Sequence, residues 1–213
     1  MRRVFVDRDA PQRDAIDEAA KWIRLGYVVA MPTDTLYGLA ADPFSEAAVA
    51  RVFHVKDRGA DRALPLIAAD VTQIASHLGR LSETAERLAN HFWPGPLTLL
   101  MPAARQLARE VSGGTGQVGV RVPADAIARA VCAACGHPVT ATSANISGHP
   151  APATPDEVER ALGHRLQFLL DAGPTPGGAP STIVEVSGGE ARLIRAGAIS
   201  WEEIQAWLHI ARA

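Results

Sequence analysis

Apolar residues recur along this chain with two periods, helical and short-strand, and the alternation between them organises nearly its whole length. From Asp14 to Leu25, Ile16, Ala19, Ala20 and Ile23 share one face at helical spacing, and Gly26 closes the helix. Tyr27 to Met31 reads as a short buried strand. Ser45 caps a second helix, which turns Val49, Val52 and Phe53 inward and ends at Lys56-Asp57-Arg58. Leu64 to Ala68 is a further strand, and helices follow at Val71–Leu78 and Ser82–Phe92. Trp93-Pro94-Gly95-Pro96 then forces a turn into a strand at Leu97–Met101. Strands are predicted at Val118–Val122, Val139–Thr142, Phe168–Asp171, Thr182–Val186 and Leu193–Arg195, with a helix over Ile127–Cys135. Thr154-Pro155-Asp156-Glu157 and Ser200-Trp201-Glu202-Glu203 are capping boxes that open two late helices, the first with Pro at its first position.

Strands alternating with helices predict an α/β fold. Several strands are joined by Gly/Pro-rich turns with no helix between them, such as Pro174 to Pro180 and Ser187 to Gly189, so a twisted mixed sheet is expected rather than a purely parallel one. At 213 residues, 47% hydrophobic and 21% charged, the chain is expected to form one domain over residues 1–213. A net charge of -2 and a pI near 6.4 argue against a protein whose main task is coating nucleic acid. No apolar run approaches the roughly 18 residues that span a bilayer. Met1 to Asp7 breaks into charge too early for a secretory signal, so a cytoplasmic protein with no membrane partner is expected.

Some apparent motifs carry no chemistry. Gly114-Thr115-Gly116-Gln117-Val118-Gly119 has the spacing of a dinucleotide fingerprint, yet a strand follows it where a helix is required. Cys132 and Cys135 are spaced as a redox or zinc half-site but lie in an apolar, Ala-rich helix without a second pair. The seven histidines show no metal-ligand spacing. Ser143 lacks the Gly-x-Ser-x-Gly elbow of a hydrolase nucleophile.

Other polar signatures sit at the ends of apolar runs. Lys56 and Arg58, taken alone, read as a solvated charge pair, although both heads can reach one anion from a non-helical turn. Ser143 and Asn145 read either as turn residues or as ligand contacts at a strand end. Arg121 is harder to place at random: a guanidinium inside the apolar strand Val118–Val122 needs solvent or a partner, and it suits bidentate capture of a carboxylate. Arg195 repeats this pattern. Fixed cations and hydroxyls brought from several strand ends to one cleft match a polyphosphate together with a small carboxylate, because ionic hydrogen bonds to such oxygens are the strong ones.

In order along the chain, Pro-Thr-Asp-Thr-Leu-Tyr-Gly-Leu (32–39), Lys56-x-Arg58, Trp-Pro-Gly-Pro-Leu-Thr (93–98), Arg-Val-Pro (121–123), Thr-Ser-Ala-Asn-Ile-Ser-Gly (142–148), Ser-Thr-Ile-Val (181–184) and Arg-x-Gly-x-Ile (195–199) resemble the YrdC-like L-threonylcarbamoyladenylate synthases in a short, single-domain form. The resemblance implies a twisted α/β sheet around an open basic cavity. It also implies a nucleotidyltransferase that converts L-threonine, bicarbonate or CO2, and ATP with Mg2+ into threonylcarbamoyl-AMP and pyrophosphate. Separate transfer enzymes would then pass the threonylcarbamoyl group to the adenosine beside the anticodon, so tRNA or double-stranded RNA contact belongs to the expectation. Position by position, the likeness assigns Thr35, Arg121, Ala141 and Ser181 to threonine. It assigns Lys56, Arg58, Ser143, Asn145 and Arg195 to ATP, with Arg62 and Gln117 as weaker nucleotide contacts and Lys56 and Arg58 as the catalytic cations; no protein metal ligand is assigned. Gly59, Ala63-Leu64, Ile67 and Ala151 depart from the family pattern. Two other classes compete with this reading: an RNA-binding or ribosome-maturation factor using the same basic surface, and a paralogous carbamoylation enzyme with a different acceptor.

Overall fold

The computed structural model describes residues 1–59 and 62–210. In chain order its strands are β1 (Arg2–Phe5), β2 (Val29–Met31), β3 (Gly38–Ala40), β4 (Leu66–Ile67), β5 (Leu97–Pro102), β6 (Gln117–Arg121), β7 (Val139–Thr140), β8 (Thr142–Ser143), β9 (Phe168–Asp171), β10 (Thr182–Ser187) and β11 (Glu190–Arg195). The helices are α1 (Arg13–Arg24), α2 (Glu46–Lys56), α3 (Val71–His77), α4 (Glu83–Phe92), α5 (Ala126–Cys135), α6 (Pro155–Leu162) and α7 (Trp201–Ile210).

Helix boundaries follow the caps that the sequence announces. Ser45, Asp70, Ser82, Asp125 and Thr154 each accept a hydrogen bond from a first-turn amide, which satisfies donors that the helix itself leaves open. Thr154 and Glu157 form the reciprocal capping box, and Ser200 accepts from the Glu203 amide at the start of α7. Ile16, Ala19, Ala20 and Ile23 of α1 are buried, and α1 packs beside α5 over the strands. Each Ile withdrawn from water there contributes on the order of 1.5–3 kcal/mol.

The strands form two mixed sheets, ordered β1-β9-β2-β3-β8 and β11-β10-β5-β6-β4-β7. Parallel pairings (β1 with β9, β2 with β9, β4 with β6, β5 with β10) coexist with antiparallel ones (β2 with β3, β5 with β6, β10 with β11), as the helix-free turns require. One core, around Ile16, Ile23, Val131, Cys132 and Phe168, lies under α1 and α5; a larger one gathers Tyr37, Leu39, Val52, Leu66, Leu97 and Val120.

Three elements differ from the sequence reading. The first strand, β1, lies in a charged, mostly exposed stretch without period-two burial, and it forms by parallel pairing with β9. The strand β3 begins inside the Thr-Leu-Tyr-Gly-Leu signature, at Gly38, and runs to Ala40. The stretch 139–142, read as one strand, is two: β7 pairs with β4 in the second sheet, and β8 pairs with β3 in the first. Ala141 is the residue at which the chain crosses from one sheet to the other.

Candidate active site

The crossing at Ala141 marks the site, because chain segments from both sheets end there around a single pocket of about 380 Å³. The first sheet contributes the loop between β2 and β3. In it Thr33 Oγ1 accepts from the amides of Thr35 (3.2 Å) and Leu36 (3.3 Å) and bonds to the Leu36 carbonyl at 2.7 Å, a side-chain turn that holds Thr35 toward the pocket. Tyr37 is fully buried; its hydroxyl donates to Gly173 O at 2.7 Å and accepts from the Ala172 amide, fastening this loop to the end of β9. Burial pushes the Tyr37 phenol up to about 12.

The second sheet contributes Arg121, Ser181 and Arg195. Ser181 shares a 2.8 Å hydrogen bond with Thr98 Oγ1, and Arg195 Nη2 donates to the Ser181 carbonyl at 2.7 Å. Both guanidinium groups are shifted down, Arg121 by burial against the opposing pull of Asp34, and Arg195 by burial and then by the positive charge of Arg121. Arg121 Nη1 meets both oxygens of Asp34, at 2.9 and 3.0 Å, in a pair that is almost fully covered.

Between the sheets, α2 ends at Asp57 in the left-handed conformation (φ 50°), which turns the chain so that Arg58 reaches the wall. Arg58 Nη2 donates to Ala63 O at 3.1 Å. Lys56 points elsewhere. It is 2% exposed, and its ammonium donates to the Ser143 carbonyl, the Asn145 carbonyl (2.9 Å) and Asn145 Oδ1 (3.1 Å), while its own carbonyl accepts from Ser147 N. Ser143 Oγ donates to Asn145 Oδ1. Lys56 thus straps the segment after β8, with three acceptors for three ammonium protons. Burial, reinforced by Arg58, nonetheless lowers it to about 8.

Of the residues singled out in the sequence, Thr35, Arg58, Arg121, Ala141, Ser143, Ser181 and Arg195 line this one pocket. Lys56 and Asn145 stand behind its wall and shape the Ser143 segment. Arg62 is exposed and outside the lining, and Gln117 is bound to Glu185 at 2.9 Å, also outside it. Thr33, Thr98, Thr142 and, just behind the wall, Asp34 join the site without having been assigned to it. Thr33 and Asp34 lie inside the Pro-Thr-Asp-Thr signature and Thr98 ends Trp-Pro-Gly-Pro-Leu-Thr, so the signal was present in the motifs.

The lining includes, among the described residues, three arginines and no carboxylate, a composition suited to anions. No group of three or more His, Cys, Asp or Glu comes together as a metal cage among the described residues. Cys132 and Cys135 are buried free thiols, both pushed up by burial, Cys135 to about 12, which makes them poor nucleophiles. Among the described residues no helix is long and apolar enough to cross a membrane.

Two mixed sheets meeting at such a pocket define a known α/β class. The crystal structure of Pyrococcus abyssi Sua5 complexed with L-threonine superposes with a TM-score of 0.92 at 36% identity, covering 97% of this chain and 61% of that one. The Sua5/YciO/YrdC family model, described as "Telomere recombination", matches residues 21–197, and the chain belongs to that family. Among curated relatives, a threonylcarbamoyl-AMP synthase of P. abyssi is 38% identical over 198 residues, spanning 91% of this chain and 58% of that protein. One of Bacillus subtilis is 36% identical over 192 residues, spanning 90% and 56%. The chain therefore spans somewhat more than half the length of these two relatives.

Proposed function

We propose that this chain is an L-threonylcarbamoyladenylate synthase, which joins L-threonine, bicarbonate or CO2, and ATP into threonylcarbamoyl-AMP and pyrophosphate for tRNA threonylcarbamoylation in the cytoplasm. The observation that carries the reading is the convergence of Thr35, Arg121 and Ser181 with Arg58, Ser143 and Arg195 on one pocket. Relatives named for this activity, and a structural neighbour bound to L-threonine, support it.

In this reading the pocket has two sides. Arg121 takes the threonine carboxylate, while the hydroxyls of Thr35 and Ser181 and the backbone at Ala141 surround the rest of the amino acid. Arg58, Arg195 and Ser143 hold the triphosphate. Once the threonine amine is carboxylated, a carbamate oxygen attacks the α-phosphorus and pyrophosphate departs, so negative charge gathers on the non-bridging and leaving oxygens. Fixed guanidinium groups stabilise that charge, and alignment of the two substrates supplies much of the remaining acceleration. Lys56 and Asn145 serve by holding the Ser143 segment in place. Mg2+ would enter as the counter-ion of the triphosphate and neutralise part of its charge.

The test is pyrophosphate release by the purified chain given ATP, L-threonine and bicarbonate. Release that depends on threonine is expected; release that is indifferent to threonine, or satisfied equally by other amino acids, would refute the reading. Arg58→Ala should lower the rate by at least about a hundredfold, consistent with loss of one preorganised charge contact.

A further inference from the structure

Thr98 lines the pocket with little of its own surface open. The residue is 2% exposed, and among the described residues its hydroxyl makes a single hydrogen bond, to Ser181 Oγ at 2.8 Å. Its neighbours in the sheet set that direction. Between β5 and β6, Leu99 pairs with Val120 and Leu100 with Gly119, so Thr98 stands beside Gly119 and Arg121. A Cβ at Gly119 would come within 2.9 Å of the Thr98 methyl carbon, which therefore occupies a notch that the missing side chain leaves open. A β-branched residue has few χ1 choices, and with the methyl lodged there the hydroxyl is turned to Ser181.

Ser181 Oγ stands between two partners. Arg195 Nη2 lies 3.3 Å away, and because a guanidinium can only donate, the serine oxygen is an acceptor on that side. The bond between Thr98 and Ser181 admits either hydroxyl as donor, and the surroundings choose. Were Ser181 to donate, the Thr98 hydrogen would be left in a nearly closed position with no acceptor among the described residues, a costly arrangement for a buried donor. With Thr98 donating, Ser181 accepts from both partners. Its own hydrogen is then left over, turned away from the positive guanidinium and into the pocket that Ser181 lines. Two donors on one oxygen also polarise its O–H bond.

We infer that Thr98 is a positioning residue for the amino-acid side of the pocket: it donates to Ser181 and so commits the serine hydroxyl to donate to an unprotonated ligand oxygen, such as that of a carboxylate. The inference rests on the reading of Ser181 as an amino-acid contact, and it gives that contact a direction and a cause. Thr98 acts through Ser181 alone. Arg195, on the nucleotide side, is held separately by the Ser181 carbonyl at 2.7 Å, so loss of the Thr98 hydroxyl leaves the arginine in place.

The experiment measures the Kd of L-threonine and of ATP by calorimetry for wild type, Thr98→Val, Thr98→Ser, Ser181→Ala and the double variant of Thr98→Val with Ser181→Ala. Valine keeps the shape and removes the hydroxyl. It should weaken threonine by about fivefold to tenfold, the worth of one hydrogen bond to a charged group, and ATP by no more than about twofold. Thr98→Ser should bring threonine back to within about threefold of wild type. In the double variant valine should add less than about twofold to the effect of Ser181→Ala, since its partner is already gone. Three results overturn the inference: threonine binding unmoved by valine, serine as impaired as valine, or effects that multiply in the double variant. If the valine protein does not fold, Thr98→Ala goes through the same cycle, where multiplied effects again decide against Thr98 and a missing second effect upholds it. Intact amino-acid binding without threonine-dependent pyrophosphate release sinks the synthase reading and leaves the Thr98 result standing; a chain that binds no amino acid defeats both.

Discussion

Lys56→Met offers the sharpest check on the physical account, because it removes one buried ammonium while keeping most of the stem's volume. Three acceptors on Ser143 and Asn145 lose a charged donor, which costs about 1–3 kcal/mol each. Against this stands the penalty of burying the charge: a lysine held at about 8 instead of 10.5 carries roughly 3 kcal/mol of it, at 1.36 kcal/mol per tenfold. The two partly offset, so the variant should remain folded near pH 7 at a net cost of a few kcal/mol. Its pH dependence is more decisive. Because the native value lies below the unfolded one, the penalty is fully present below about pH 8. Between about 8 and 10.5 the unfolded chain holds more protons, and stability rises with pH. The methionine variant lacks this contribution, while the other titrating groups are common to both proteins and cancel in the difference. Urea unfolding of both at about pH 7 and about pH 10 should therefore show the gap in favour of wild type widening by roughly 2–3 kcal/mol at the higher pH. A gap that stays constant, or narrows, would refute the description of Lys56 as a buried strap.

Three further outcomes follow from the geometry. Gly197→Ala should reduce both stability, by about 2 kcal/mol or more, and activity, since a Cβ there overlaps the Pro180 carbonyl and the Ser181–Thr182 backbone that carries Ser181 and anchors Arg195; unfolding midpoints and pyrophosphate release would report it. Tyr37→Phe should cost about 1–3 kcal/mol by leaving the Gly173 carbonyl and Ala172 amide without their partner, measured by urea unfolding. Alkylation of Cys132 and Cys135 in the folded protein at about pH 8 should be slow and become rapid in denaturant; fast labelling of the native chain would contradict their burial.

Local rules made much of this molecule legible in advance. Helix starts at Ser45, Ser82 and Thr154 depend on a side chain and an amide three residues apart, so the sequence contains the whole interaction. Arg121 was conspicuous for the same reason: a guanidinium within an apolar strand needs a partner wherever the strand goes. The first strand, Arg2–Phe5, was invisible, since its four residues are mostly exposed and acquire strand geometry from β9, more than 160 positions away in sequence. Remote pairing also hid the break at Ala141, where two residues pair with one sheet and the next two with the other; periodicity within four residues cannot encode a change of partner.

The sequence by itself therefore determined the helices, most strands and the set of polar groups that the chemistry calls upon. The tertiary structure alone decided which of them face the pocket. Lys56 and Arg58 are two residues apart and carry equal charge, yet one is turned inward onto backbone carbonyls and the other outward to the pocket, because Asp57 reverses the chain between them. Asp34 and Arg121 are 87 positions apart, and only the meeting of the two sheets makes them a pair. Long-range packing sets such partnerships, and the energy that fixes them belongs to contacts that no local stretch of sequence contains.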